Sequence, residues 1–189
     1  MSPAPWERAP TGAAAALAAS VAAAVPELVT PRLRLRAPRL ADFAAYAAIL
    51  TTERGAFVGG PMSREEAWHD FVQSVAGWQL RGHGTWAVER RDDGALLGFI
   101  TLNHEYGDPE PELGFLLLTE AEGRGYAREA AETARGFAFG ALGWRSVVSY
   151  VAPENRRSAR LAERLGARME PGLVQGCSVW RHNAAEGLR

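Results

Sequence analysis

An apolar run that breaks at a glycine-bearing turn and restarts as an alanine-rich helix constrains this chain more than any other feature. Leu113-Gly-Phe-Leu-Leu-Leu-Thr119 reads as a strand, Glu122-Gly-Arg-Gly-Tyr-Ala127 as the turn, and Ala127 to Leu142 as the helix. The first amides of a helix have no intrahelical partner, and the helix dipole places partial positive charge beside them. Such an end binds anions, phosphate above all. Gly123 and Gly125 let the backbone approach that guest closely. The turn lacks the third glycine of a dinucleotide fingerprint, since position 128 is Arg, and lacks the Gly-Lys-Ser/Thr ending of a P-loop. A turn of this composition also occurs in purely structural settings.

Around this turn the chain alternates strand and helix signals. Residues 1–27 read as an Ala/Pro-rich extension and 28–189 as one domain. Leu33, Leu35 and Ala37 alternate with Arg32, Arg34 and Arg36, which predicts a half-buried strand with a basic outer face. Leu40, Phe43, Ala47 and Leu50 follow helical spacing. Ser63 and Glu66 form a capping box for a helix with Trp68, Phe71, Val72 and Val75 on one face. Thr85–Arg90, the turn Asp92-Asp93-Gly94 and Ala95–His104 predict a hairpin. Glu112–Leu118 is predicted as a strand buried on both faces. Ser146–Val151, a helix capped by Asn155 and ending at Gly166, and a strand pair within 168–182 complete the order. The pattern is a mixed α/β (α+β) sheet with helices on both faces.

Composition narrows the function class. The net charge is −1, so no overall basic field draws nucleic acid. Cys177 is the sole cysteine, which excludes an intramolecular disulfide and fits a reduced, cytoplasmic setting. The Ala-rich stretch 12–25 is too weakly apolar to anchor in a bilayer, and no membrane partner is expected. His69, His83 and His182 show no metal-ligand spacing, so no metal is expected.

Two segments carry candidate chemistry. Ser158, Leu161, Ala162 and Leu165 share one helix face, of which Ser158 is the polar member. Its hydroxyl either bonds back to its own helix or faces a ligand. Tyr126 and Tyr150 are further hydroxyls that either pack or act. Arg124, Arg156 and Arg157 are candidate phosphate ligands. Before the strand that starts at Glu112 lie Asn103, His104, Glu105, Asp108 and Glu110, an acidic cluster that either forms an exposed loop or attracts a cation.

Three motifs in order resemble the GNAT acetyltransferases, and within them the RimJ/RimL-type ribosomal-protein N-acetyltransferases. The acyl-CoA pyrophosphate loop of that family, Gln/Arg-x-x-Gly-x-Gly/Ala, is matched by Glu122, Gly125 and Ala127, with Glu where Gln or Arg is usual. The late helix Asn-x-x-Ala/Ser-(x)7-Gly-Phe is matched by Asn155, Ser158 and Gly166, with Ala167 in place of Phe. Thr30–Asp42 and Glu112-Leu-Gly-Phe115 resemble the first strand and fourth strand of the branch, so the likeness spans about residues 28–182. It implies a mostly antiparallel twisted sheet splayed between the family's strands four and five, here 112–118 and 145–151. It implies acetyl-CoA as acyl donor and an amine acceptor, either a protein N-terminus or a small molecule. Many relatives form homodimers. Donor contacts are expected from Phe115, Leu116, Leu117, Glu122, Gly123, Arg124, Gly125, Tyr126, Ala127, Asn155 and Arg157, and acceptor contacts from Asn103 and His104. Glu112 is the expected base or amine-positioning group. Ala162 stands where the family usually has Tyr, which leaves Ser158 as the leaving-group donor on that helix. A non-catalytic acyl-CoA sensor on the same fold is the alternative.

Overall fold

The computed structural model describes residues 4–185, so residues 1–3 and 186–189 of the two expected segments lie outside the described residues. The elements are α1 (Gly12–Ala23), β1 (Leu28–Val29), β2 (Leu33–Arg36), α2 (Phe43–Leu50), α3 (Arg64–Arg81), β3 (Thr85–Arg90), β4 (Leu96–Asn103), β5 (Glu112–Leu117), α4 (Tyr126–Gly140), β6 (Ser146–Val151), α5 (Arg156–Arg164), β7 (Arg168–Val174) and β8 (Cys177–Asn183). The strands form one sheet in the order β1-β2-β3-β4-β5-β6-β8-β7, antiparallel everywhere except between β5 and β6. Among the described residues no helix is long and apolar enough to cross a membrane.

Strand alternation sorts the core onto two faces. Trp86, Val88, Ile100 and Leu102 pack beneath α4, whose buried stripe is Ala130, Ala131, Ala134 and Ala138. Those small side chains let the helix lie close to the sheet. Ala87 and Phe99 face the other way, against Phe43 and Ala47 of α2 and Phe71 of α3. Each fully buried Leu, Val or Phe of these layers contributes roughly 1.5–3 kcal/mol. The capping box of α3 is formed as expected: Glu66 N–H donates to Ser63 Oγ, and Ser63 N–H donates to Glu66 Oε2.

The sheet opens between β5 and β6, which pair only at Glu112 and Val148. These are the two strands expected to splay; the two-residue β1 makes them fifth and sixth. Pro111 O still accepts from Val148 N–H at 3.0 Å. One step on, side chains replace the ladder. Ser149 Oγ donates to Leu113 O at 2.7 Å, and Glu112 Oε1 accepts from Tyr150 N–H at 3.2 Å. Buried His182 backs the first bridge, with Nε2 at 3.2 Å from Ser149 Oγ. Since that hydroxyl gives its proton to Leu113, the Nε2–H donates to it. Burial, then the Arg135 charge, push the His182 pKa down to about 4, which keeps the ring neutral.

Three expectations need correction. Arg36 is not on a basic outer face: it is only 6% exposed and bonds Asp42 through both terminal nitrogens, at 2.7 and 2.9 Å, and Glu89 at 2.5 Å. The period-two pattern sets which face a side chain takes, but at Arg36, unlike exposed Arg34, the polar face is covered, and Asp42 and Glu89 compensate the charge. Val72 is 44% exposed, because α3 turns Ala67, Phe71 and Ser74 inward instead. From Gly114 onward β5 is half-buried, since the gap beside it is a cleft.

Candidate active site

Glycine conformation builds the floor of the cleft. Gly123 and Gly125 take φ of 72° and 79°, in the left-handed region that side chains disfavour. Gly125 is the N-cap residue of α4, and no side chain caps that end. The leading amides of a 15-residue helix therefore open onto a cleft of about 710 Å³. Arg32 braces the turn from outside: its Nη1 donates to Arg124 O at 3.0 Å, its Nε donates to Glu129 at 2.6 Å, and its guanidinium lies 4.8 Å from the Tyr126 ring.

Phe115, Leu116, Leu117, Glu122, Gly123, Gly125, Tyr126, Ala127, Asn155, Arg157 and Ser158 all line this cleft. Arg124 is the exception; its side chain is exposed and only its carbonyl is engaged. Glu122, which stands where a Gln or Arg is usual, is the hub of an ion-pair set. It accepts from Arg54 Nη2 at 2.6 Å and pairs with Arg157. Arg54 also donates to Leu117 O at 2.7 Å, which ties the loop after α2 to the end of β5. Arg128 and Arg164 reach the same cleft, so its rim carries four guanidiniums against Glu53 and Glu122. Sequence reasoning misses Arg54, Arg128 and Arg164 as cleft residues. Only Arg128, next to the glycine turn, carries a local signal.

Asn155 caps α5 by accepting from Ser158 N–H at 3.1 Å. The Ser158 hydroxyl, half-buried in the cleft, has no hydrogen-bond partner among the described residues, so it does not bond back to its own helix. The β5 backbone adds a polar wall. The carbonyls of Pro111 and Leu113 face β6, and alternation turns the backbone groups of Phe115 to that same side, where β6 has diverged.

Phe57, Val58, Phe115 and Leu116 are shared with a second cavity of about 380 Å³ on the far side of the gap. Glu112 lines it, together with Asn103, Asp70, Glu105 and Asp108. Burial, reinforced by the Asp108 and Glu105 charges, raises the Glu112 pKa to about 7 against the Tyr150 N–H bond, which favours the charged form. Tyr150 also lines this cavity; its hydroxyl is buried beside the Glu110 backbone yet meets no hydrogen-bond geometry. His104 is not part of the lining, since its Nε2 is held at 3.1 Å by Asp108 O within its own loop. Cys177 lines the cavity from β8 as a part-buried thiol whose pKa burial raises. Among the described residues no group of three or more His, Cys, Asp or Glu is placed to hold a metal ion.

A family model described as the acetyltransferase (GNAT) domain matches residues 32–168, the span that contains the gap, the glycine turn and most of both cavity walls. The chain belongs to the GNAT acetyltransferase family. Its structure is similar to that of an acetyltransferase from Agrobacterium tumefaciens strain C58, with 40% identity, a TM-score of 0.82, and coverage of 85% of this chain and 96% of that one. RimL, a ribosomal L7/L12 α-N-protein acetyltransferase solved with coenzyme A, shares the fold at 16% identity and a TM-score of 0.66, over 84% of this chain and 97% of that one. An uncharacterized N-acetyltransferase of Bacillus subtilis, YnaD, is 29% identical over 87 residues, 46% of this chain. The chain thus spans about half the length of that curated relative, 51%. The expected GNAT family and fold hold, and RimL is among the structures that share that fold.

Proposed function

We propose that this GNAT domain transfers an acetyl group from acetyl-CoA to a primary amine by direct attack, with Glu112 as the base. The observation that carries this reading is a carboxyl of pKa about 7 lining one cavity that adjoins, through Phe115 and Leu116, a cleft built on an uncapped helix N-terminus. A base is most useful when its pKa lies near the working pH. The alternative of a non-catalytic acyl-CoA sensor gives no reason for such a carboxyl.

The roles follow from position. The pyrophosphate rests on the α4 amides and Gly123–Gly125, with Arg54, Arg128 and Arg157 supplying charge. The pantetheine arm runs along β5 in the gap, and the Phe115 amide polarises the thioester carbonyl. Glu112, directly or through one water, takes a proton from the acceptor ammonium. The neutral nitrogen attacks the carbonyl carbon, the C–S bond breaks, and the thiolate leaves with the bonding pair. The second proton of the attacking nitrogen passes, directly or through one water, to the departing sulfur, giving the amide and CoA thiol, and the Ser158 hydroxyl, lacking a partner among the described residues, donates a hydrogen bond to that sulfur.

The replacement Ser158→Ala is expected to lower kcat about 10- to 100-fold and to leave the dissociation constant for acetyl-CoA within about threefold, as read by single-turnover kinetics beside calorimetry. Full activity in Ser158→Ala with a loss in Tyr150→Phe would move the donor role to Tyr150. A tenfold weaker affinity for acetyl-CoA in Ser158→Ala would make Ser158 a binding residue instead.

A further inference from the structure

The two cavities are segregated by charge. The donor cleft is rimmed by four arginines, whereas the acceptor cavity is lined by Asp70, Glu105, Asp108 and Glu112 and by no basic side chain. Glu112 stands at the gap. Asp70 lies on α3, where its Oδ2 accepts from Tyr46 OH at 2.5 Å. Glu105 stands on the loop after β4; its carboxyl is held by Asn103 Nδ2, and its backbone N–H donates to Asp108 at 2.7 Å. Arg181 neutralises Glu110 beside them at 2.6 and 2.7 Å, but among the described residues no cation reaches the four acids of the cavity. Burial first, then the neighbouring carboxylates, hold Glu105 above the ordinary carboxylate range, and burial does the same to Asp70. This negative charge is uncompensated among the described residues.

One side-chain contact joins two loops beside the cavity. Gln175, at the turn between β7 and β8 with φ of 49°, donates from Nε2 to Gly107 O at 3.2 Å and straps that hairpin to the β4–β5 loop. The cavity volume, about 380 Å³, lies at the low end of small-molecule pockets, typically about 300–1,000 Å³.

We propose that the acceptor is a small amine with a second cationic group, its reacting amine at Glu112 and its distal cation between Asp70 and Glu105. This rests on the acetyltransferase reading above and goes beyond it by choosing the acceptor class. One charge draws the acceptor into the acid-lined chamber; two fix its register, because the lining carboxylates stand on separate elements, Glu112 on β5 and Asp70 on α3. An amine with a single charge and an apolar tail leaves Asp70 and Glu105 buried against hydrocarbon. Removing one charge-assisted hydrogen bond of this kind weakens binding about ten- to a hundredfold.

The test uses the full chain and acetyl-CoA, with thiol release followed for 1,3-diaminopropane, 1,4-diaminobutane, 1,5-diaminopentane, n-butylamine and an Ala-initiated hexapeptide. At least one diamine is expected to exceed n-butylamine and the peptide in kcat/KM by at least about tenfold. Asp70→Asn, which keeps an acceptor for the Tyr46 hydroxyl, is expected to shrink that preference about tenfold through KM, and Glu105→Gln at the rim to do so independently. Equal rates for mono- and diamine, preference for the peptide, or an unchanged preference in both variants overturns the acceptor assignment while leaving acetyl transfer standing. Acetyl-CoA binding with no acetylation of any amine overturns the acceptor assignment as well. Absence of acetyl-CoA binding in the unmodified protein, read separately by calorimetry, overturns the transferase reading and the acceptor assignment with it.

Discussion

Glu112→Gln is expected to lower kcat/KM for amine acetylation by about 10²- to 10⁴-fold while acetyl-CoA affinity stays within about threefold. The amide keeps an oxygen to accept from Tyr150 N–H, so the bridge across the gap survives; what is removed is the proton acceptor. The pH profile separates this from a packing effect. With Glu112 present, kcat/KM for one acceptor falls about tenfold per pH unit below about 7, because protonating the carboxyl removes the base. In Glu112→Gln the break near 7 disappears, and the rate instead keeps rising with pH toward the acceptor's own ammonium pKa. Stability moves the other way. The folded-state pKa of about 7 lies above the ordinary 4.5, so the folded state holds this proton more tightly than the unfolded chain. Glu112 therefore contributes stability below the unfolded value, and that contribution is lost as pH rises through 7. Above pH 7 a charged, buried carboxylate remains. The glutamine variant is expected to be more stable than the parent at pH 8 by about 1–3 kcal/mol, a difference that vanishes near pH 5, measured by urea unfolding. Equal stability at pH 8 together with an unchanged pH profile contradicts the role of base.

Asp42→Ala is expected to be the most damaging single change to stability away from the cleft. Asp42 takes both terminal nitrogens of buried Arg36 and also accepts from Arg39 N–H at 2.7 Å, which fixes the chain where β2 turns into the helix before α2. Removing one partner of a buried pair costs about 3–5 kcal/mol, because a charge is left in an environment that cannot solvate it. Glu89 keeps part of Arg36 satisfied, which brings the expected loss to about 2–4 kcal/mol, or roughly 5–15 °C in Tm for a chain of this size. The loss should be much reduced in Asp42→Asn, which keeps an acceptor. A loss below about 1 kcal/mol in Asp42→Ala would show that water reaches Arg36.

What is legible in the sequence is chemistry that acts within a few residues. Ser63 with Glu66, Asn155 before α5, and Gly123 and Gly125 before α4 each satisfy or expose helix-end amides a few positions away, so residue type and spacing suffice to place them. The gap between β5 and β6 is foreseen from family likeness, not from pattern, because nothing local distinguishes a strand whose neighbour diverges. The half-buried face of β5 follows from that gap and escapes the apolar pattern for the same reason. Arg36 escapes it too, because its partners are Asp42 around a corner and Glu89 on the adjacent strand. A period of two cannot report whether the polar face of a strand is covered. Within the candidate site, Glu112 and Asn103 are neighbours on paired strands, and both are legible near one another in the chain. Tyr46, Asp70 and Arg54 come from the α2–α3 region, more than forty residues earlier than β5, and only the packed fold brings them to the same walls. Glu122 shows the opposite case. As an isolated departure from the family pattern it removes a positive or amide side chain from the phosphate loop, but in the fold it holds Arg54 and Arg157 at that loop.

Every role assigned above depends on the α4 N-terminus and the gap beside β5 holding acetyl-CoA. Isothermal titration of the purified chain with acetyl-CoA, against NAD as a second pyrophosphate ligand, decides whether they do. A micromolar dissociation constant for acetyl-CoA, about −8 kcal/mol, is expected, with no measurable heat from NAD. No binding of acetyl-CoA at near-millimolar concentration, or equal binding of both ligands, would contradict it.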